Sequence, residues 1–385
     1  MKIRSKRIYI NEEIVEATLE IEKDKIINIL PYDSKDIDID YNDSLILPGF
    51  IDIHCHGAYG FDTNSGDPEG LSNWAKNIIK EGVTGFLATT VTDKKDILKN
   101  ALKNVANVKE KHHPGIDGAD ILGIHFEGPY INEEYAGAQP KSAIIKPNLD
   151  EFKKYLKDSN NLIKIITIAP EKDNNHELIK YCHDNGIIAS IGHTAATFEE
   201  ASSAIKDGAK SITHTFNAQT AFTHRKNGVV GVALRNSDLY SEIICDTYHV
   251  SIDALNIFYK CKDKDHAIMI SDALMCKGFD AGYRFSFGGQ NVEIYPDGTA
   301  HLYEFPDKNL AGSTMKMNEG LRNIIELAKV PLVNAINSCT INPARLLSLD
   351  DHLGLIKEGY DADIVVLDNN YSVIDTYCKG IKQKS

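Results

Sequence analysis

The sequence predicts a (β/α)8 TIM barrel with a small β-sandwich domain formed from both chain termini. Two observations lead to this prediction. Eight apolar, β-rich runs alternate with helical stretches through residues 49–355, which is the repeat of a barrel of eight parallel strands. On either side, residues 1–48 and 356–385 read as short strands joined by turns, so the two ends are expected to share one β unit.

The barrel elements follow one another in a regular order. The predicted strands are PGFIDIHCH (48–56), TGFLATTV (84–91), ILGIHFEG (121–128), IKIITIAP (163–170), IIASIGHT (187–194), SITHTFN (211–217), SEIICDTYHV (241–250) and HAIMISDAL (266–274). The predicted helices lie near 68–81, 93–111, 149–158, 173–185, 197–207, 228–236 and 251–262. Residues 278–304 break the repeat, and the YPDGT segment at 295–299 predicts a hairpin turn there.

Composition narrows the class of protein. A net charge of -13 disfavours nucleic acid and anionic membrane as partners, because both require a basic surface. No run approaches the roughly 18 apolar residues of a membrane span, and the first residues lack a signal-like apolar core, so a cytoplasmic protein is expected. The seven cysteines are odd in number and form no CxxC pair, which argues against a disulfide framework or a thiolate zinc cluster.

Side chains suited to metal binding or proton transfer lie at or just after the ends of five predicted strands. They are His54, His56, Glu127, His193, His214 and Asp272. Catalytic groups of a TIM barrel come from the carboxyl ends of its strands, so these six are expected to meet. Each one alone is explained equally well as a polar residue with a structural role, whereas the repetition at successive strand ends favours a site.

Three of these residues form a plausible ligand set for a catalytic metal. Glu127, His193 and His214 would share one divalent cation and leave a coordination position open for water. His54 and His56 are two residues apart on a strand, so both side chains face the same way and can hold a cation together. Asp272 can accept the proton of the water and later return it to a leaving group, although a helix N-cap is the alternative role.

A local basic cluster interrupts an otherwise acidic chain. His224, Arg225 and Lys226 follow the sixth strand, and such a cluster suits a phosphate group, with a solvated turn as the alternative. The backbone amides of Asn217 and Ala218 would add donors nearby. We therefore expect a small-molecule substrate that carries a phosphate.

These motifs together resemble a known family. The segments are PGFIDIHCHG, HFEGPYINEEYAGAQ, SIGHTAAT, THTFNAQTAFTHRKNGVVG, ISDAL, LAGST and NPARLLSLDDHLGLIKEGYDADIVVLD. In their order and spacing from about Leu47 to Asp368 they resemble the amidohydrolase superfamily, and within it the N-acetylglucosamine-6-phosphate deacetylases. The resemblance implies hydrolysis of the N-acetyl group of a phosphorylated amino sugar, with glucosamine 6-phosphate and acetate as products.

The resemblance also assigns roles to residues. It implies a divalent metal, zinc or iron, at Glu127, His193 and His214, a second ion at the two strand-1 histidines in some members, and Asp272 as acid and base. It places Gln139, Asn217, Ala218, Arg225 and His249 around the phosphosugar. One substrate contact in relatives comes from a neighbouring subunit, which implies a homodimer.

Two departures from the family pattern concern the sugar. Gln139 stands where the family usually has histidine, and Tyr248 adds bulk before His249 where the family usually has Asp-Gly. A deacylase of another N-acyl substrate therefore stays open, as does a phosphosugar-binding barrel without turnover. The fourth strand ends IAPE, without the lysine that bridges two metals in many other amidohydrolases, and a binding protein would have no use for Asp272.

Overall fold

The computed structural model describes residues 1–303 and 309–383. Its strands are β1 (Lys2–Ile10), β2 (Glu13–Glu22), β3 (Lys25–Leu30), β4 (Ile39–Asp40), β5 (Leu45–Pro48), β6 (Phe50–Cys55), β7 (Gly57–Ala58), β8 (Phe61–Asp62), β9 (Val83–Thr90), β10 (Asp120–Glu127), β11 (Ile163–Ile168), β12 (Ile188–Ile191), β13 (Ser211–Ile212), β14 (Tyr240–Ile244), β15 (Ala267–Ile270), β16 (Arg284–Phe287), β17 (Gln290–Ile294), β18 (Ala300–Leu302), β19 (Ile364–Leu367), β20 (Val373–Cys378) and β21 (Ile381–Lys382). The α-helices are α1 (Pro68–Ile78), α2 (Lys95–Lys111), α3 (Leu149–Asp158), α4 (Glu177–Asp184), α5 (Phe198–Lys206), α6 (Gly228–Arg235), α7 (Ile252–Cys261), α8 (Met317–Arg322), α9 (Leu332–Cys339) and α10 (Ile341–Leu346).

Eight parallel strands form the predicted barrel. They are β6 and β9 to β15, hydrogen-bonded in the order β15-β14-β13-β12-β11-β10-β9-β6. Backbone hydrogen bonds close the ring just beyond β15, where the amide of Asp272 donates to the carbonyl of His54 at 2.9 Å and the amide of His56 donates to Ala273 at 2.8 Å. The first and last strands are thus joined at the residues that carry the predicted site.

The apolar runs account for the positions of the strands, and sharp turns in the backbone account for where a strand ends. Every residue of β9 is buried, as expected for strands covered on both faces. The sixth barrel strand, β13, spans only two residues because the chain beyond it turns sharply. His214, Phe216 and Ala218 have φ values of 27°, 81° and 49°, which no strand accommodates. The predicted helices are confirmed, with their ends shifted by a few residues.

The floor of the barrel is filled by aliphatic side chains, so the interior opens at one end. Ile53, Leu87 and Ile165 from three strands form one cluster with Ile341 and Leu346 of α10. This packing closes the end of the barrel opposite the strand carboxyl ends. Any site inside must therefore lie at the carboxyl-terminal mouth.

Strands from both termini form a single mixed sheet, in agreement with the prediction that the two ends share one β unit. Its order is β21-β20-β19-β5-β1-β2-β3, and β4 pairs with β1. The antiparallel pairing of β5 with β19 joins Leu45 to Leu367, residues from opposite ends of the chain. No helix among the described residues is long and apolar enough to cross a membrane.

The predicted hairpin is part of a three-stranded antiparallel sheet, β16-β17-β18. Tyr295 and Thr299 close the turn with a 2.8 Å backbone hydrogen bond, and Gly298 adopts the left-handed φ of 87° that this turn requires. The aromatic ring of Phe287, at the end of β16, lies 5.2 Å from the ring of His56. The sheet therefore covers one side of the barrel mouth.

Candidate active site

A cavity of about 1270 Å³ opens at the barrel mouth. Nine of the eleven predicted site residues line it: His56, Glu127, Gln139, His193, His214, Asn217, Ala218, His249 and Asp272. His54 lies just beneath them, with its Nε2 atom 3.3 Å from Glu127 Oε1. Arg225 does not line this cavity.

Three of the predicted functional residues have an unusual backbone. His193, His214 and Asp272 have φ values of 47°, 27° and 49°, a region that residues with a side chain adopt rarely and at some cost. Each stands just after its strand, where the left-handed turn directs the side chain inward. Strain repeated at three strand ends is typical of a functional site.

The side chains of Glu127, His193 and His214 converge on one point. The two histidine Nε2 atoms are 3.0 Å apart, and each lies 3.2 Å from Oε1 of Glu127. The Nδ1 atoms face backbone carbonyls, with Tyr135 O at 2.8 Å from His193 and Asn217 O at 3.1 Å from His214. A carbonyl only accepts, so Nδ1 carries the proton and each Nε2 presents a lone pair. Two imidazole nitrogens and a carboxylate oxygen this close together fit a divalent metal.

A second group lies beside the first. Asp272 Oδ1 is 3.3 Å from Nε2 of His56 and 3.5 Å from Nε2 of His54, and these three residues also have the spacing of a metal site. Nε2 of His56 is 3.4 Å from the second carboxylate oxygen of Glu127. Glu127 therefore lies between the two groups and contacts histidines of both.

The electrostatics of the site keep its carboxylates ionised. Burial favours the neutral acid at Asp272, but the hydrogen bond to His56 and the nearby histidines outweigh it and lower its pKa to about 2. Burial likewise opposes a charge on His56, but Asp272 and Glu127 raise its pKa to about 9. Burial also opposes a charge on Glu127, but the surrounding histidines outweigh it and hold the pKa of Glu127 well below its usual value. Asp272 is thus ionised, which is the form of a carboxyl group that can accept a proton.

Two predicted substrate contacts have other partners. Gln139 donates from Nε2 to Glu127 Oε2 at 2.7 Å and accepts from the amide of Thr92 at 3.0 Å, so its side chain is hydrogen-bonded to a predicted metal ligand. The backbone amide of Asn217 donates to the carbonyl of His214 at 3.0 Å, which corrects the expectation that it is free for phosphate. Among the described residues, the side-chain Nδ2 of Asn217 is a buried donor without a hydrogen-bond partner.

His249 is held in place at the cavity wall by Asp246. Its Nδ1 lies 2.6 Å from Asp246 Oδ2, while the backbone amides of Tyr248 and His249 donate to Oδ1 at 2.9 and 2.8 Å. Burial opposes a charge on His249, but the Asp246 carboxylate outweighs it and raises the pKa of the imidazole. The Nε2 atom is left for contact with a bound molecule.

The basic cluster is the part of the predicted site that the structure does not bring to the cavity. His224, Arg225 and Lys226 are all exposed on the loop between β13 and α6. Two other cations, Lys94 and Lys141, line the cavity rim. Neither lysine follows an apolar run at a strand end, so the sequence pattern that located the metal ligands could not locate them.

The sequence prediction also missed Glu242. This residue is fully buried within β14, and its Oε2 atom lies 2.9 Å from Nδ1 of His54. A signal was present, because a carboxylate within the apolar run SEIIC has to be compensated when it is buried. It was overlooked because Glu242 lies inside a strand and not at its end.

Comparison with known proteins identifies the family of this chain. The profile of the amidohydrolase family matches residues 45–382. An N-acetylglucosamine-6-phosphate deacetylase of Bacillus subtilis (strain 168) is 39% identical over 88% of this chain and 84% of its own length. An N-acetylgalactosamine-6-phosphate deacetylase of Escherichia coli O157:H7 is 31% identical over 87% of each chain.

A solved structure extends the similarity to the whole fold. It is that of a mutant N-acetyl-D-glucosamine-6-phosphate deacetylase from Mycobacterium smegmatis in complex with N-acetyl-D-glucosamine-6-phosphate. The two superpose with a TM-score of 0.93 at 25% sequence identity, covering 100% of this chain and 99% of that one. Barrel, terminal sheet and convergent ligand groups together lead to one assignment. The chain belongs to the amidohydrolase family, among relatives that are deacetylases of phosphorylated amino sugars.

Proposed function

We propose that this enzyme hydrolyses the N-acetyl group of N-acetylglucosamine 6-phosphate, giving glucosamine 6-phosphate and acetate. The relatives that carry this name support the substrate. The observation that carries the proposal is the convergence of His193 Nε2, His214 Nε2 and Glu127 Oε1 within 3.0 to 3.2 Å of one another, beside Asp272.

Glu127, His193 and His214 would hold a divalent cation in this proposal. Two nitrogen donors and one carboxylate suit zinc or iron, and the group at His54, His56 and Asp272 allows a second ion. A cation held there would lower the pKa of a bound water and polarise the carbonyl of the acetamide. An acetamide needs this activation because its carbonyl is a poor electrophile.

Asp272 moves the proton. As a carboxylate it accepts a proton from the water that attacks the acetyl carbonyl carbon. It then gives this proton to the amide nitrogen as the C–N bond breaks, so the sugar leaves as an amine and the acyl group as acetate. The position of its Oδ1 atom, 3.3 Å from Nε2 of His56, supports this role because the imidazole fixes the carboxylate at the cavity wall.

The sugar phosphate would be bound away from the bond that breaks. Asn217 and His249 line the cavity, and Arg225 lies outside the cavity of its own chain. We propose a homodimer in which Arg225 of one subunit completes the phosphate site of the other. A remote phosphate anchor would hold the acetamide in attack geometry through binding energy.

Subunit mixing tests the homodimer. Asp272→Asn and Arg225→Ala chains are each expected to be impaired, but a mixed dimer would contain one site with both native residues. Recovery of activity after co-refolding supports action across the interface. Absence of recovery in a verified mixed dimer would place Arg225 within its own subunit, or assign the phosphate to Lys94 and Lys141.

We also propose that the enzyme is cytoplasmic. All seven cysteines are free, and six of them are buried. Free thiols suit a reducing environment, which supports a cytoplasmic enzyme.

The decisive experiment is acetate release by enzyme of measured metal content. Substrates would be N-acetylglucosamine 6-phosphate, N-acetylgalactosamine 6-phosphate and unphosphorylated N-acetylglucosamine. Metal-dependent turnover that favours the first is expected. Preference for N-acetylgalactosamine 6-phosphate would identify that sugar as the substrate instead. Absence of turnover of all three by metal-loaded enzyme would favour another N-acyl substrate or a binding protein.

A further inference from the structure

Glu242 is a buried carboxylate that the mechanism above does not use. It lies within β14 with no exposed surface, in contact with neither cavity nor solvent. Its Oε2 atom is 2.9 Å from Nδ1 of His54 and 3.3 Å from the backbone nitrogen of His214. Glu242 thus touches one residue from each of the two ligand groups.

The charge of Glu242 has little compensation. Within the described part of the chain its only ion-pair partner is His54, and its Oε1 atom has no hydrogen-bond partner. Glu127 and Asp272 are buried nearby and also pair only with histidines among the described residues. Three buried carboxylates lie close together here, and a second cation would help to compensate their charge.

Glu242 determines which ring nitrogen of His54 is available to a cation. Nδ1 of His54 is hydrogen-bonded to the carboxylate of Glu242, which leaves Nε2 as the nitrogen that can bind a cation. That Nε2 atom lies 3.3 Å from Glu127 Oε1 and 3.5 Å from Asp272 Oδ1 and makes no hydrogen bond within the described residues. It is therefore directed at the space shared with His56 and Asp272.

A different use of Glu242, as a direct ligand beside His54 and His125, fits less well. These three have the spacing of a metal site. However, Nδ1 of His125 lies 3.0 Å from the carbonyl of Ile53, and its Nε2 lies 2.7 Å from the hydroxyl of Thr167. Both nitrogens of His125 are already hydrogen-bonded, so no lone pair is left for a cation.

We propose that Glu242 is a positioning residue that fixes His54 as a ligand for a second cation, next to the cation at Glu127, His193 and His214. The proposal rests on the metal-dependent function proposed above. Carboxylates that orient ligand histidines typically change metal affinity by about 10- to 100-fold when they are removed. Loss of Glu242 should therefore weaken the second cation selectively.

The test is zinc titration of the metal-free protein, with stoichiometry measured by elemental analysis and by absorption of the cobalt-substituted protein. The native chain should bind two ions. Glu242→Ala should keep one and bind the other about 10- to 100-fold more weakly. Glu242→Gln, which keeps the shape and one acceptor, should fall between the two and serves if the alanine variant does not fold.

Glu81→Gln is the matched control, because Glu81 is an equally buried carboxylate that pairs with Lys277 at 2.9 Å. It should lose stability and keep both ions, whereas metal-free Glu242→Gln should not unfold at a lower temperature than the native chain. A native chain that binds one ion, Glu242 variants that keep both at unchanged affinity, or equal weakening of both ions would overturn the proposal. Absence of acetate release from a two-zinc enzyme would instead refute the proposed function and leave the role of Glu242 intact.

Discussion

Replacement of Asp272 by asparagine tests most directly whether proton transfer and cation binding are carried out by different residues of the site. The substitution keeps the size of the side chain and its position beside His56, but removes the negative charge and the ability to accept a proton. Removal of a general acid or base typically costs about 10²- to 10⁴-fold in rate. Because Asp272 would act first as base and then as acid, we expect the upper end, about 10⁴-fold in kcat, or about 5.5 kcal/mol of transition-state stabilisation.

The structure predicts that this loss is separate from metal binding. Asp272 belongs to the group with His54 and His56, while Glu127, His193 and His214 converge on their own. We therefore expect Asp272→Asn to retain the cation at Glu127, His193 and His214.

The assay combines steady-state acetate release with elemental analysis of the same preparation. A half-buried carboxylate outside the cavity lining, Asp207, provides the control, because its ion-pair partners among the described residues are His176 and Lys180. Asp207→Asn should leave kcat unchanged. Residual activity of Asp272→Asn within about tenfold of the native rate, with metal retained, would refute the assignment of Asp272 as the proton carrier.

Three further predictions follow from named contacts. Arg225→Ala should raise KM for the phosphorylated sugar by about 10- to 100-fold, the effect of about 1.5–3 kcal/mol from a charged hydrogen bond. Kinetics with the unphosphorylated sugar should show no such change. Glu127→Gln should abolish tight binding of the first cation, because it removes the only charged ligand between His193 and His214, and dialysis followed by elemental analysis would detect this. Lys277→Met should lower the free energy of unfolding by about 3–5 kcal/mol, because it leaves Glu81 buried without its cation. Urea unfolding would measure this, and the double change with Glu81→Leu should recover most of the loss if the ion pair is its cause.

The sequence was sufficient for the barrel and for most of the side chains that meet at its mouth. Apolar runs of strand length alternating with amphipathic segments identify the eight β/α steps, and polar residues placed at the ends of such runs identify His193, His214 and Asp272. These signals are local, because each depends on a burial cost within a few residues. The hairpin turn at Pro296 was equally readable, since Pro-Asp-Gly constrains the backbone by itself.

Contacts between distant residues were decided only by the tertiary structure. Gln139 meets Glu127, Glu242 meets His54, and Arg225 stays outside the cavity because the loop after β13 turns away from it. A periodic pattern shows which residues are buried, but it does not show which partner, 188 residues away in the case of His54, satisfies each buried group. The chain's local chemistry thus determined the fold and the kinds of side chain at the barrel mouth. Closure of the barrel decided their pairing, because hydrogen-bond partners and lone-pair directions depend on three-dimensional distances.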